Sequence, residues 1–269
     1  MWILDYLNVK AESPSLAALD QLVTAYTHRI PWESASRIVR KHTLADLAAR
    51  PRFGNAFWED AQHFGTGGTC YESNYAFFDL LQSLGYEGYL TINNMGESIG
   101  CHSAIIIQLD DQPYLVDVGL PIYLPLPLNP HQATTRKTPF HTYTIIPEAN
   151  NQYQIERDLH PRPNCFTLIN QPVDLATYRK IATQDYDDGG LFLDRVIVLR
   201  IVNDRVWRFD SSALPYQLES FFEESKTYHL LGLDADEVAK AVATHFQIDV
   251  DLMKKAINCL TEFPKHDTL

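Results

Sequence analysis

The order of patterned segments predicts an α+β fold. Helix-spaced apolar residues fill the first 85 positions, short strand-like runs follow, and helical spacing returns after Leu233. Alternating βαβ units would have interleaved these patterns, whereas here they are segregated. With 269 residues, 45% hydrophobic and 21% charged, the chain has the composition of an ordinary globular protein.

Each element follows from local spacing. Ser13-Pro14-Ser15 offers a helix start, and Leu16, Leu19, Leu22, Val23 and Tyr26 continue at helical intervals. Ile30-Pro31-Trp32 interrupts the pattern, because proline disfavours helix for the residue before it. A helix is expected over Thr43–Ala49 with Thr43 as its cap. A better-marked helix begins at Cys70 after Gly67-Gly68-Thr69, carries Asn74, Phe77, Phe78, Leu81 and Leu84, and stops at Gly85.

Strand-like runs come next: Tyr89–Ile92, Ser103–Ile107, Tyr114–Val118, Tyr143–Ile146, Tyr153–Ile155 and Val196–Ile201. Asp110–Pro113 reads as a turn and Pro121–Pro130 as a loop. Asp236–Phe246 and Val250–Cys259 read as the closing helices.

Charge and cysteine usage narrow the function. A net charge of −12 disfavours nucleic-acid binding, which needs a basic docking face. No basic leader precedes an apolar run, and no stretch approaches the ~20 apolar residues of a membrane span. Four cysteines without a Cys-x-x-Cys pair read as reduced thiols with no structural metal. The expectation is a cytoplasmic protein that engages neither membrane nor nucleic acid.

Cys70 is the candidate nucleophile. A helix N-terminus lowers a thiol's pKa, and free N–H groups at a helix start can stabilise an oxyanion. Against this stands the ordinary role of cysteine as a small buried hydrophobe. Among ten histidines, His102 leads an apolar strand, and Asp117 places a carboxylate inside one, where it needs a partner if buried. A hairpin turning about Asp111-Gln112 sets Asp117 opposite Ile106, four residues from His102. Ideal pairing then leaves ~13 Å between them along the strand, so contact requires a bulge, strong twist or another turn.

At these residues the chain resembles the arylamine N-acetyltransferase family. Arg29-Ile30-Pro31-Trp32-Glu33-Ser34 resembles its Ile-Pro-Phe-Glu-Asn segment, and Gly67–Asn74 resembles its Arg-Gly-Gly-x-Cys-x-Glu-x-Asn motif. His102 with its apolar strand, and Tyr114–Gly119, resemble the family's histidine and aspartate blocks. The resemblance implies a three-part, cysteine-protease-like fold: a helical bundle over residues 1–85 with the nucleophile, a β-barrel over 86–200 with His102 and Asp117, and an α/β lid over 201–269.

It further implies a Cys70–His102–Asp117 triad that takes an acyl group from acetyl-CoA or another acyl thioester and passes it to a small-molecule amine by ping-pong chemistry, without a metal. Trp32 and Leu120 match acceptor-pocket positions. Thr66 stands where the family has arginine, Ser73 where it has glutamine, and Leu120-Pro121 where it has Phe-Gly. These departures bear on donor and acceptor choice. They leave open an amide synthase fed by an acyl carrier protein, a cysteine hydrolase or amidase, and a silent binding module. Cys101, beside His102, is either an inert strand residue or a thiol able to oxidise with Cys70.

Overall fold

A computed structural model describes residues 2–160, 162–222 and 225–262. In chain order the first elements are α1 (Trp2–Leu7), α2 (Leu16–Arg29), β1 (Trp32–Glu33), α3 (Ala35–Thr43), α4 (Asn55–Phe64) and α5 (Cys70–Ser83). The strands β2 (Glu87–Met95), β3 (Ser98–Leu109), β4 (Gln112–Val116), β5 (Leu126–Pro127), β6 (Thr134–Lys137), β7 (Thr142–Glu148), β8 (Gln152–Arg157) and β9 (Asn164–Ile169) follow. After α6 (Leu175–Gln184) come β10 (Ile197–Val202), β11 (Arg205–Asp210), β12 (Tyr216–Phe222), β13 (Ser225–Gly232), α7 (Ala235–Phe246) and α8 (Val250–Glu262). The fold is α+β, with helices leading and a barrel-like sheet after them, as the segregated patterns predict.

Two compact units divide the chain. One draws on residues 1–29 and 70–180, the other on residues 30–69 and 181–269.

The first unit is built on an eight-stranded antiparallel sheet in the order β5-β4-β3-β2-β9-β8-β7-β6. Its edges nearly meet, and Thr134 Oγ1 of β6 donates to the Pro127 carbonyl of β5 at 2.6 Å. Closure of this kind leaves little open strand edge. Ile106, Leu115, Leu126, Tyr143, Ile145, Ile155, Phe166 and Leu168 fill the interior. The helix α5 is buried around most of its circumference, which explains why its apolar residues are not confined to one stripe. It ends at Gly85, whose φ of 88° suits a residue without a Cβ. Before it, α2 is capped by Ser15, which accepts from Ala18 N at 3.2 Å. The rings of Tyr26 and Phe77 join the two helices at a 5.0 Å centroid distance.

The second unit carries a five-stranded antiparallel sheet, β1-β10-β11-β12-β13. Ala35 and Ile38 of α3, Val198 and Phe209 of the sheet, Val242 and Phe246 of α7, and Met253 and Ile257 of α8 share one core. Asp234 caps α7 by accepting from Glu237 N at 2.8 Å.

Three expectations need correction. Thr43 ends a helix instead of starting one: Leu44 is extended, and residues 47–49 make a single 3₁₀ turn capped by Asp46. The return strand stops at Val116 rather than Val118. The hairpin turns about Asp110-Asp111, both in the left-handed region (φ 47° and 62°), not about Asp111-Gln112. Two consecutive left-handed residues twist a two-residue loop to match its strands, and aspartate tolerates that conformation better than glutamine.

Candidate active site

The corrected turn changes what the strands bring together. Leu109 now opposes Gln112 and Ile105 opposes Val116, so Asp117, continuing the count, comes level with Ala104. His102 is then two residues along, ~7 Å by strand rise, and not four. The side chains close the rest of the gap.

His102 Nε2 donates to Asp117 Oδ2 at 2.6 Å, and both side chains are almost wholly buried. The Cys70 sulfur acts electrostatically on the same ring. With Nε2 taken by Asp117, Nδ1 is the nitrogen left for the sulfur. Cys70 is the first residue of α5 and 6% exposed, with Sγ 3.8 Å from the Cys101 carbonyl. The structure therefore joins His102 to Asp117 by a hydrogen bond and sets the Cys70 sulfur within electrostatic reach of the same ring.

Burial opposes charge on the His102 ring. The Asp117 carboxylate, by its charge and its hydrogen bond, outweighs burial, and with the Cys70 sulfur pushes the ring's pKa up to about 10.

Asp117 is held from its other oxygen. Oδ1 accepts from Asn74 Nδ2 at 3.0 Å, Gly119 N at 2.8 Å and Leu120 N at 2.9 Å. Asn74 Oδ1 in turn accepts from Val118 N at 3.0 Å. Asn74 lies one helical turn beyond Cys70, so one face of α5 presents the thiol and grips the carboxylate's loop. Ser103 Oγ donates to the Cys70 carbonyl at 3.0 Å, and Tyr178 Oη lies 2.8 Å from Ser103 Oγ and 2.9 Å from the Tyr71 carbonyl. A Cβ at Gly119 would fall 2.4 Å from Cys70 Cα and 2.6 Å from Asn74 Nδ2, so the loop's approach requires glycine there.

Asn74, Ser103, Gly119 and Tyr178 are the site residues that sequence reasoning missed. The four-residue spacing of Cys70 and Asn74 on a helix was the available signal for one of them. Ser103 and Tyr178 are joined across 75 positions by folding alone.

Leu120 sits beside Asp117 through its backbone bond to that carboxylate. The Pro121 carbonyl accepts from Tyr143 Oη at 3.4 Å, and Ile122 N donates to the Asp117 carbonyl at 2.9 Å, so this loop is anchored although proline offers no N–H. Trp32 belongs to the second unit. It pairs with Leu199 of β10 and sets its ring edge-on to Phe192, 5.0 Å away.

In that second unit, buried charges organise the segment that leads to Cys70. Arg52 Nη2 donates to the Gly67 carbonyl at 2.6 Å, and its Nη1 lies 3.3 Å from Thr66 Oγ1. Glu33 Oε1 accepts from Gly67 N at 3.2 Å. Arg37 donates to Thr69 Oγ1 at 3.1 Å and pairs with Asp185 at 2.8 Å. Thr66, where the motif resemblance expects arginine, is thus met by a guanidinium from elsewhere in the chain.

Cys101 is half-buried, and burial raises its thiol pKa. All four cysteines are free thiols. Among the described residues, no group of three or more His, Cys, Asp or Glu side chains is placed to hold a metal ion. No helix among them is long and apolar enough to cross a membrane.

A family model described as N-acetyltransferase matches residues 15–256. No protein with a curated description matches the chain significantly in sequence. In fold the chain is similar to the arylamine N-acetyltransferase of Mycobacterium marinum, with a TM-score of 0.80, 19% identity, and coverage of 96% of this chain and 97% of that one. A structure of the M. marinum enzyme in complex with CoA gives a TM-score of 0.79 at 19% identity over 96% and 97% of the two chains. The arylamine N-acetyltransferase of Salmonella typhimurium gives 0.78 at 14% identity over 95% and 96%.

Proposed function

From the premise that the chain belongs to the N-acetyltransferase family, we propose that it moves an acetyl group from acetyl-CoA to an arylamine through an acetyl-Cys70 intermediate. The observation that carries this reading is the buried His102–Asp117 hydrogen bond, with the sulfur of Cys70, the first residue of a buried helix, acting on the same ring.

In the first half-reaction the Cys70 thiolate attacks the thioester carbonyl, whose oxygen takes up negative charge. The free N–H groups of the first turn of α5 are suited to stabilise it. Collapse forms the acetyl-cysteine and breaks the C–S bond to CoA, and the departing thiolate takes its proton from the His102 imidazolium. In the second half-reaction neutral His102 accepts a proton from the attacking amine as the amide bond forms, and the Cys70 thiolate is released. Asp117 holds the ring's orientation and supports its charge in both halves, while Asn74, Gly119 and Leu120 keep the carboxylate in place.

Intact mass spectrometry tests the reading directly. Mixing with acetyl-CoA should add one acetyl group, mapped to Cys70 and discharged when an arylamine is supplied. No mass gain with acetyl-CoA, but a gain with a carrier-protein thioester, would transfer the donor role to the carrier. Equal discharge with and without amine would make the protein a hydrolase.

A further inference from the structure

Arg157 closes β8 and stands opposite Tyr143 of β7. Residues directly opposed across two strands point to the same face of a sheet, and Tyr143 is part of the barrel's interior. Arg157 is therefore directed inward. Its Nε is buried with no hydrogen-bond partner, and among the described residues its guanidinium forms no ion pair. The side chain is partly buried, so its cation is incompletely solvated and can take a counter-charge. The adjacent carboxylates do not supply it: Asp158 Oδ1 accepts from Thr142 N at 2.6 Å, and Glu156 alternates to the opposite face of the strand.

Two histidines stand at the same end. The His141 ring is 5.9 Å from the Tyr143 ring and 5.9 Å from the His160 ring. His141 Nδ1 bonds the Asp158 carbonyl at 3.0 Å. His160 Nδ1 lies 3.0 Å from both the carbonyl and the N–H of Arg162. Both Nδ1 atoms are thus engaged with backbone, and both Nε2 atoms are left without a hydrogen-bond partner among the described residues. Burial and then the Arg157 charge hold both rings below the usual histidine pKa. Arg157 is also felt by Cys165, which feels Asp117 as well, so the cluster lies in the electrostatic neighbourhood of the triad.

We propose that Arg157, with the Nε2 atoms of His141 and His160, binds a small oxyanion, a phosphate or carboxylate group, at this end of the barrel. The oxyanion has two sources, a free anion or an acidic substituent on the amine acceptor. The second rests on the acyl-transfer reading, and the first does not. An anion seated here offsets the Arg157 charge and lets the rings take up protons, so binding tightens as pH falls. Arg162, Asp158, Tyr143 and Tyr123 are the other titratable or charged groups around the cluster.

Calorimetric titration of the full chain with inorganic phosphate and with acetate, at pH 6 and pH 8, tests the site without reference to activity. Wild type should bind, more tightly at pH 6, and Arg157→Gln should weaken phosphate binding by roughly tenfold or more. In anion-free buffer Arg157→Gln should be at least as heat-stable as wild type, because it removes an uncompensated charge. Arg157→Lys should bind at intermediate strength. Absence of phosphate and acetate binding to wild type, or unaltered binding by both variants, overturns the proposal. Comparing kcat/KM for carboxylated and neutral arylamines then separates the sources. A carboxylate preference that Arg157→Gln abolishes assigns the site to the acceptor, and a preference unchanged while phosphate binding is lost assigns it to a free anion.

Discussion

His102 and His160 belong to the same compact unit, and burial works against charge on both rings. His102 nevertheless has its pKa raised to about 10, because the Asp117 carboxylate faces it. His160 has its pKa lowered to about 4, because Arg157 acts with burial instead of against it. At neutral pH one ring is an imidazolium and the other is neutral. Burial opposes the charge on both rings, and the sign of the nearby fixed charge decides whether that effect is overcome or reinforced. Asp117 follows β4, which pairs with the His102 strand β3, whereas Arg157 ends β8 and His160 lies in the loop just beyond it.

The sharpest way to break the contrast is to remove the charge and keep the shape. Asp117→Asn should leave the fold intact, drop the His102 pKa, and lower the acetyl-transfer rate by on the order of 10³–10⁴-fold, as expected when the orienting carboxylate of a triad loses its charge. Steady-state kcat with saturating acetyl-CoA checks it, and a rate within a few-fold of wild type would remove Asp117 from the triad.

A smaller effect tests the packing behind that pair. Gly119→Ala forces a Cβ against the backbone of Cys70 and the amide of Asn74, which no rotamer change can relieve. We expect destabilisation by about 1–3 kcal/mol in urea unfolding, the usual range for overpacking, with slower acylation of Cys70.

The smallest effect reads the two histidines together. His102 holds its proton more tightly folded than unfolded, so its contribution to stability is complete below pH ~6.5 and is lost as pH rises through about 10. His160 holds its proton less tightly folded, so stability falls as pH drops from ~6.5 to about 4. Relative to wild type, His102→Gln should flatten the alkaline limb of the unfolding profile, and His160→Asn the acidic limb. Matching limbs in wild type and variants would refute the contrast.

Much of the frame was legible in the sequence. Spacing placed α2, α5, α7 and α8 within a few residues, with Gly85 as the stop for α5. Five barrel strands, β2, β3, β4, β7 and β8, announced themselves as short apolar runs, whereas β5, β6 and β9 did not, and the motif blocks named His102 and Asp117, which the structure joins by a hydrogen bond. What was illegible depended on partners distant in sequence. Thr43–Ala49 has helical composition, but its polypeptide is extended at Leu44. The strands β11 to β13 were expected only as the unplaced strand part of an α/β segment, because charged and polar residues interrupt their apolar pattern. Arg157 reads as an ordinary surface cation until the pairing of β7 with β8 aims it inward.

The Asp110-Asp111 turn lies at the far tip of a hairpin, where an extra residue is commonly harmless. Here the tip acts as a ruler. Its length fixes whether the aspartate reaches the imidazole two positions or four positions away, so lengthening it by one residue must be absorbed as a bulge or else reverse the faces of every following side chain up to Asp117. Peptide tags and insertions placed at that exposed corner would disturb the chemistry at the other end of the strands without touching it.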